Sequence, residues 1–155
     1  MRTYVDTSVY GGVADIEFSR PSRRFLAEVL RGRFEVVISA VVHQEIAGAP
    51  QPVRDVYEQV LAIAPVIEVP DEALALRQAY LDAGIVGPRS RADALHVACA
   101  SVLDCAMIVS WNFKHIVHFD KIEQYNEINV ANGRPRIAIH APSEVIDYEH
   151  PEETV

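Results

Sequence analysis

Residues 91–112 read RADALHVACASVLDCAMIVSWN. The first half, largely apolar as far as Leu103, predicts a buried helix opened by Ser90 or Arg91. Residues 107–110 then predict a strand with apolar residues at consecutive positions rather than alternate ones. A strand without polar alternation is covered on both faces, as in a parallel sheet layered between helices. The stretch therefore predicts one unit of an α/β domain, and the chain on either side repeats it.

Working outward, residues 3–6 (TYVD) predict a first strand that opens into a turn through Gly11 and Gly12. Pro21 begins a helix with Phe25, Leu26, Val29 and Leu30 on one face, and Gly32 ends it. Residues 34–38 form a second strand, and Ser39 caps the short helix AVVHQEIAG. Pro52 starts a further helix, residues 66–69 form a third strand, and Asp71 caps a helix stopped by Gly84. Beyond residue 112 come a polar helical region up to Asn132-Gly133 and a last strand at 136–139. Pro142 opens an acidic tail, expected to be partly disordered. The expectation is one α/β domain over residues 1–141 and a tail over 142–155.

Composition agrees with this. The chain has 155 residues, half of them hydrophobic and about a quarter charged, which suits one globular domain with a real core. No apolar run approaches the roughly 20 residues needed to cross a bilayer. Asp6 interrupts any leader-like stretch at the N-terminus, so a cytoplasmic protein is expected. Cys99 and Cys105 lack the paired partners of a structural zinc site and read as small buried thiols. The net charge of −8 argues against a polyanionic partner, but five acids from Glu144 onward supply most of the excess. Acids that hold a metal would be neutralised in use.

In open α/β sheets ligands bind beyond the carboxyl ends of the strands. Strand one ends in Asp6, followed by Thr7 and Ser8; the helix after strand two carries Glu45; Asp93 lies in the first turn of the apolar helix; strand four runs into Ser110, Trp111 and Asn112. Each has an ordinary explanation: an Asx turn for Asp6, the helix dipole for Asp93, solvation for Glu45, a helix cap for Asn112. Together, three acids and an amide at one sheet edge would repel one another unless a cation is bound. Oxygen donors without paired His or Cys suit Mg²⁺ or Mn²⁺. Such an ion activates water and steadies a leaving oxygen, which points to phosphoryl transfer.

YVDTSVYGG, the Glu of SAVVHQEIAG, RADALHVACA and IVSWNFKHI, spread in this order over residues 4–116, resemble the motifs of PIN-domain ribonucleases, especially VapC-like toxins of bacterial toxin–antitoxin pairs. The resemblance implies an α/β/α sandwich with a central, mainly parallel sheet and an acidic site that binds Mg²⁺ or Mn²⁺ and hydrolyses RNA. Its acids match Asp6, Glu45 and Asp93. The fourth position, often Asp in the wider family, is Asn112, which supports a second cation less well and leaves one metal or two open. Thr7, Ser8 and His96 would stand beside the metal ligands, with a general-base role for His96 as the lesser alternative. Arg89, Arg91 and Lys114 would contact an RNA backbone, and Arg20, Arg23 and Arg24 are further candidates. Trp111 is read as packing, with base stacking as the alternative. A small antitoxin and a homodimer are implied as well. Two rivals remain: a catalytically idle PIN-like module that binds RNA or protein, and a haloacid-dehalogenase-like phosphatase. The latter wants a second carboxylate two residues after Asp6, where Ser8 stands.

Overall fold

Five parallel strands, β1 (Arg2–Val5), β2 (Glu35–Ser39), β3 (Val66–Ile67), β4 (Met107–Val109) and β5 (Ala138–His140), form one sheet in the order β3-β2-β1-β4-β5. The computed structural model describes residues 1–149 and 155. β1 is central because every residue from Thr3 to Val5 is buried, so neither of its faces tolerates solvent. The chain builds outward from β1 to β3, then crosses back to place β4 on the other side. That reversal leaves a crevice at the carboxyl ends of β1 and β4, where the Asp6 N–H donates to the Val109 carbonyl at 3.0 Å.

Among the described residues eight helices cover the sheet: α1 (Thr7–Gly11), α2 (Ser19–Leu30), α3 (Ala40–Ile46), α4 (Gln51–Leu61), α5 (Asp71–Asp82), α6 (Arg91–Val102), α7 (Phe119–Ala131) and α8 (Pro142–Val145). They pack in two groups, α1 to α4 with α8, and α5 to α7. α6 is buried at every position from Ala94 to Ser101, as an all-round apolar helix must be. Its polar Ser101 is satisfied within the layer, donating to the Val97 carbonyl at 2.9 Å and accepting from Asn129 at 2.9 Å; Asn129 also accepts from Tyr80.

The expected α/β architecture is present, with local differences. The chain after Asp6 forms α1 and a 3-10 turn at Gly12–Ala14 instead of an open turn. β3 is only two residues long, as suits an edge strand. β5 lies at 138–140, shifted because Asn126 already occupies Ile137, accepting from its N–H (2.6 Å) and donating to its carbonyl (3.1 Å).

Of the expected acidic tail, residues 142–149 are folded against the domain, and residues 150–154 lie outside the described residues. The fastening is electrostatic. Glu28, 1% exposed, accepts from Arg24 Nε at 3.1 Å, from Arg33, and from the Asp147 N–H at 3.1 Å. Arg24 also donates to the Asp147 carbonyl at 3.0 Å. Removing one member of a buried ion cluster strands the others, so Glu28→Ala is expected to cost about 3–5 kcal/mol in urea unfolding.

Candidate active site

Asp6 follows β1 into the crevice and is buried. A buried carboxylate needs donors, and its Oδ2 accepts from the hydroxyls of Ser8 (2.8 Å) and Ser110 (2.7 Å). Those hydroxyl oxygens accept in turn from the N–H groups of Trp111 (3.0 Å) and Asn112 (2.9 Å). The loop after β4 is thereby tied to the acid at the end of β1. Asp6 Oδ1 faces His96 Nε2 at 3.4 Å.

Glu45, exposed in the last turn of α3, is brought to the same place. Its Oε1 lies 2.7 Å from His96 Nε2 and accepts from Thr7 Oγ1 at 2.8 Å. His96, buried in α6, therefore stands between two carboxylates. Burial alone would lower its pKa, but the Glu45 hydrogen bond and the charges of Asp6, Glu45 and Asp93 raise it above the ordinary histidine value. Burial pushes the Glu45 carboxyl up, and the hydrogen bonds from His96 and Thr7 together with the His96 charge bring it below the usual range. On its other side, His96 Nδ1 is 2.7 Å from the Tyr4 hydroxyl, itself 2.7 Å from Ser39 Oγ.

Asp93 is partly exposed in the first turn of α6, where its charge bears on His96, and it makes no hydrogen bond among the described residues. Asn112 faces its own loop: its Oδ1 accepts from the His115 N–H at 2.9 Å, and its backbone carbonyl accepts from the N–H groups of Ile116 (3.0 Å) and Val117 (2.8 Å). His115 lies 3.1 Å from Ser90, linking this loop to the start of α6. Thus Asp6 and Glu45 meet across His96, with Asp93 on the neighbouring helix start and Asn112 acting as a cap. Among the described residues no three His, Cys, Asp or Glu side chains close around a single point as a metal cage would. The donor chemistry nevertheless fits a hard divalent ion. Among the described residues Glu45 Oε2 and both Asp93 oxygens accept no hydrogen bond, and Asp6 Oδ1 has the long approach of His96 alone.

No family model matches the sequence, and no curated protein matches it. A chain in the crystal structure of VapBC2 from Rickettsia felis bound to a DNA fragment from their promoter is similar, with TM-score 0.58 and 12% identity over 91% of this chain and 98% of that one. The chain has a PIN-like fold. At that identity the likeness concerns the path of the backbone alone. Among the described residues no helix is long and apolar enough to cross a membrane.

On this PIN-like scaffold Trp111 is a packing residue. It is buried, stacks on Phe18 at 4.3 Å between ring centroids, and donates from Nε1 to Ser22 Oγ at 2.8 Å. Gly12 makes room for that bond: a Cβ there would overlap Ser22 Oγ and come within 2.9 Å of Trp111 Nε1. Arg89, Arg91 and Lys114 are exposed, as is Arg20. Arg24 is spent on Glu28, and Arg23 donates to Val13 and Val155 carbonyls at 3.2 Å, so neither offers a free cation. Sequence reasoning did not single out Tyr4, and Ser39 entered only as a cap. The strand period of two was the available signal, since it sets Tyr4 on the same side of β1 as Asp6.

Gly12→Ala is expected to cost about 1–3 kcal/mol through overpacking. Because Trp111 is the sole tryptophan, the displacement is read directly as a shift in native-state fluorescence; Gly11→Ala, with open space around its Cα, should leave the spectrum unchanged.

Proposed function

We propose that the chain is a divalent-metal-dependent ribonuclease that hydrolyses RNA phosphodiester bonds, and that it is the toxin of a toxin–antitoxin pair held in check by a small antitoxin. One observation carries the reading. Asp6 and Glu45 come from distant parts of the chain and converge at the topological switch point of a PIN-like sheet, with oxygens left uncommitted and a third acid, Asp93, on the adjoining helix start. Three acids gathered at one crevice exceed what the single His96 between two of them balances, which is a poor design for a merely structural edge.

Asp6, Glu45 and Asp93 would hold Mg²⁺ or Mn²⁺, with Asn112 bordering it through its amide. The bound ion would supply activation of water and neutralisation of the phosphate charge. Ser8 and Ser110 orient the Asp6 carboxylate by occupying Oδ2, which leaves Oδ1 toward the crevice. Thr7 holds one Glu45 oxygen in the same way. Arg89, Arg91 and Lys114, all solvent-facing, would attract an RNA backbone. A cytoplasmic homodimer belongs to this reading through the family resemblance.

A second reading, the idle PIN-like binding module, is favoured by one observation: Asn112 is engaged as a cap, and the acids do not enclose a single point. The two separate in one experiment. Purified protein is incubated with RNA in Mn²⁺ or Mg²⁺, with EDTA, and as Asp6→Asn and Asp93→Asn. The nuclease reading expects cleavage abolished by EDTA and reduced at least about 100-fold in each variant. Equal trace cleavage in all samples leaves the binding module.

A further inference from the structure

Glu45 presents a difficulty for any precise site. Its side chain is 39% exposed on a helix of only seven residues, so nothing in its own element holds the carboxylate still. Thr7 holds one of its oxygens from α1, and so does a hydrogen-bonded chain that begins on α3 and returns to it through the core. The Val42 N–H donates to Ser39 Oγ at 3.3 Å, the N-cap of α3. With its oxygen accepting there, the Ser39 hydroxyl can donate to Tyr4 Oη at 2.7 Å, and Tyr4 can donate to His96 Nδ1 at 2.7 Å. In the neutral ring Nε2 then carries the hydrogen and donates it in a hydrogen bond to Glu45. Ser39, Tyr4 and His96 are all nearly or fully buried, so no water competes for these groups. The other neutral tautomer would aim a lone pair at both Glu45 and Asp6.

We propose that Tyr4 is a positioning residue for Glu45, acting through His96: its hydroxyl fixes the imidazole so that Nε2–H holds one Glu45 oxygen and leaves Oε2 facing the crevice. This rests on the metal-dependent reading above. The arrangement follows the general pattern in which a group outside the ligand shell orients a ligand and is worth about 10–100-fold in metal affinity or activity. Tyr4 can serve only as a neutral phenol, a state that burial enforces by raising its pKa. Its ring also meets the imidazole edge-on, with centroids 5.7 Å apart, so removing the oxygen leaves the packing in place.

The experiment compares the wild-type full chain with Tyr4→Phe and with Tyr10→Phe. Tyr10 is likewise buried, but its hydroxyl has no hydrogen-bond partner among the described residues, so its substitution controls for loss of a core oxygen. Nitrogen-15 NMR of the His96 ring, recorded at a pH above its raised pKa so that the ring is neutral, reports the tautomer, and calorimetric titration with Mn²⁺ reports affinity. Expected are a single Nε2–H tautomer in wild type and Tyr10→Phe, a mixed one in Tyr4→Phe, and Mn²⁺ binding about 10–100-fold weaker in Tyr4→Phe alone. Unchanged ring shifts in Tyr4→Phe, or equal effects of the two substitutions, overturn the assignment. Should wild type bind no Mn²⁺, the metal-dependent reading falls, while the ring shifts still decide whether Tyr4 locks His96. If Tyr4→Phe does not fold, Ser39→Ala, which removes the donor to Tyr4, is expected to mix the tautomers, and a locked ring there is the overturning result.

Discussion

A buried carboxylate at the end of the central strand is the constraint around which this edge of the molecule is organised. Asp6 sits where β1 meets β4, and its charge is tolerable only because two hydroxyls reach one of its oxygens. Meeting that need dictates local structure on both sides. Ser8 must lie within the turn of helix that follows β1, and Ser110 must follow the last residue of β4 directly. Each serine oxygen then caps an N–H of the loop after β4, so satisfying one acid also sets the path of Trp111 and Asn112.

The second carboxylate is handled differently. Glu45 is at the surface, and the molecule reaches out to it with a histidine from the most buried helix rather than drawing it inward. His96 Nε2 stands between Asp6 and Glu45, and the two acids raise its pKa above the ordinary histidine value. Burial works the other way, and a hydrogen-bonded chain through Tyr4 and Ser39 satisfies the far side of the ring. Asp93 has no such tether, and its freedom contrasts with the fixed geometry of the other two acids.

The features legible in the sequence were those with local causes. The uninterrupted apolar strands announced a parallel sheet, and α6 was evident because nearly every side chain in it is apolar or small. Asp6 and Asp93 could be gathered to one edge since one lies just beyond a strand and the other at a helix entry, and Glu45 because the short helix after β2 carries it. Harder to read was α1: Gly11 and Gly12 look like a turn, whereas Gly12 is small because Ser22 and Trp111 meet beside it. That need arises across about a hundred residues of chain and leaves no local trace. The RNA-contacting role considered for Arg23 and Arg24 fails for the same reason, as their partners include carbonyls near the C-terminus.

By itself the sequence determined the α/β class, the burial of the central strands and the candidate acids near one sheet edge, because strand burial and helix entry are written in short-range patterns of apolar and polar residues. Only the tertiary structure decided which acids meet, that His96 stands between them, and that Asn112 caps its own loop. It also decided that Trp111 packs instead of facing solvent. Those outcomes depend on the approach of β1, α3, α6 and β4, whose hydrogen bonds span from about forty to more than a hundred residues. Nothing in the neighbourhood of any one residue specifies the partner at the other end.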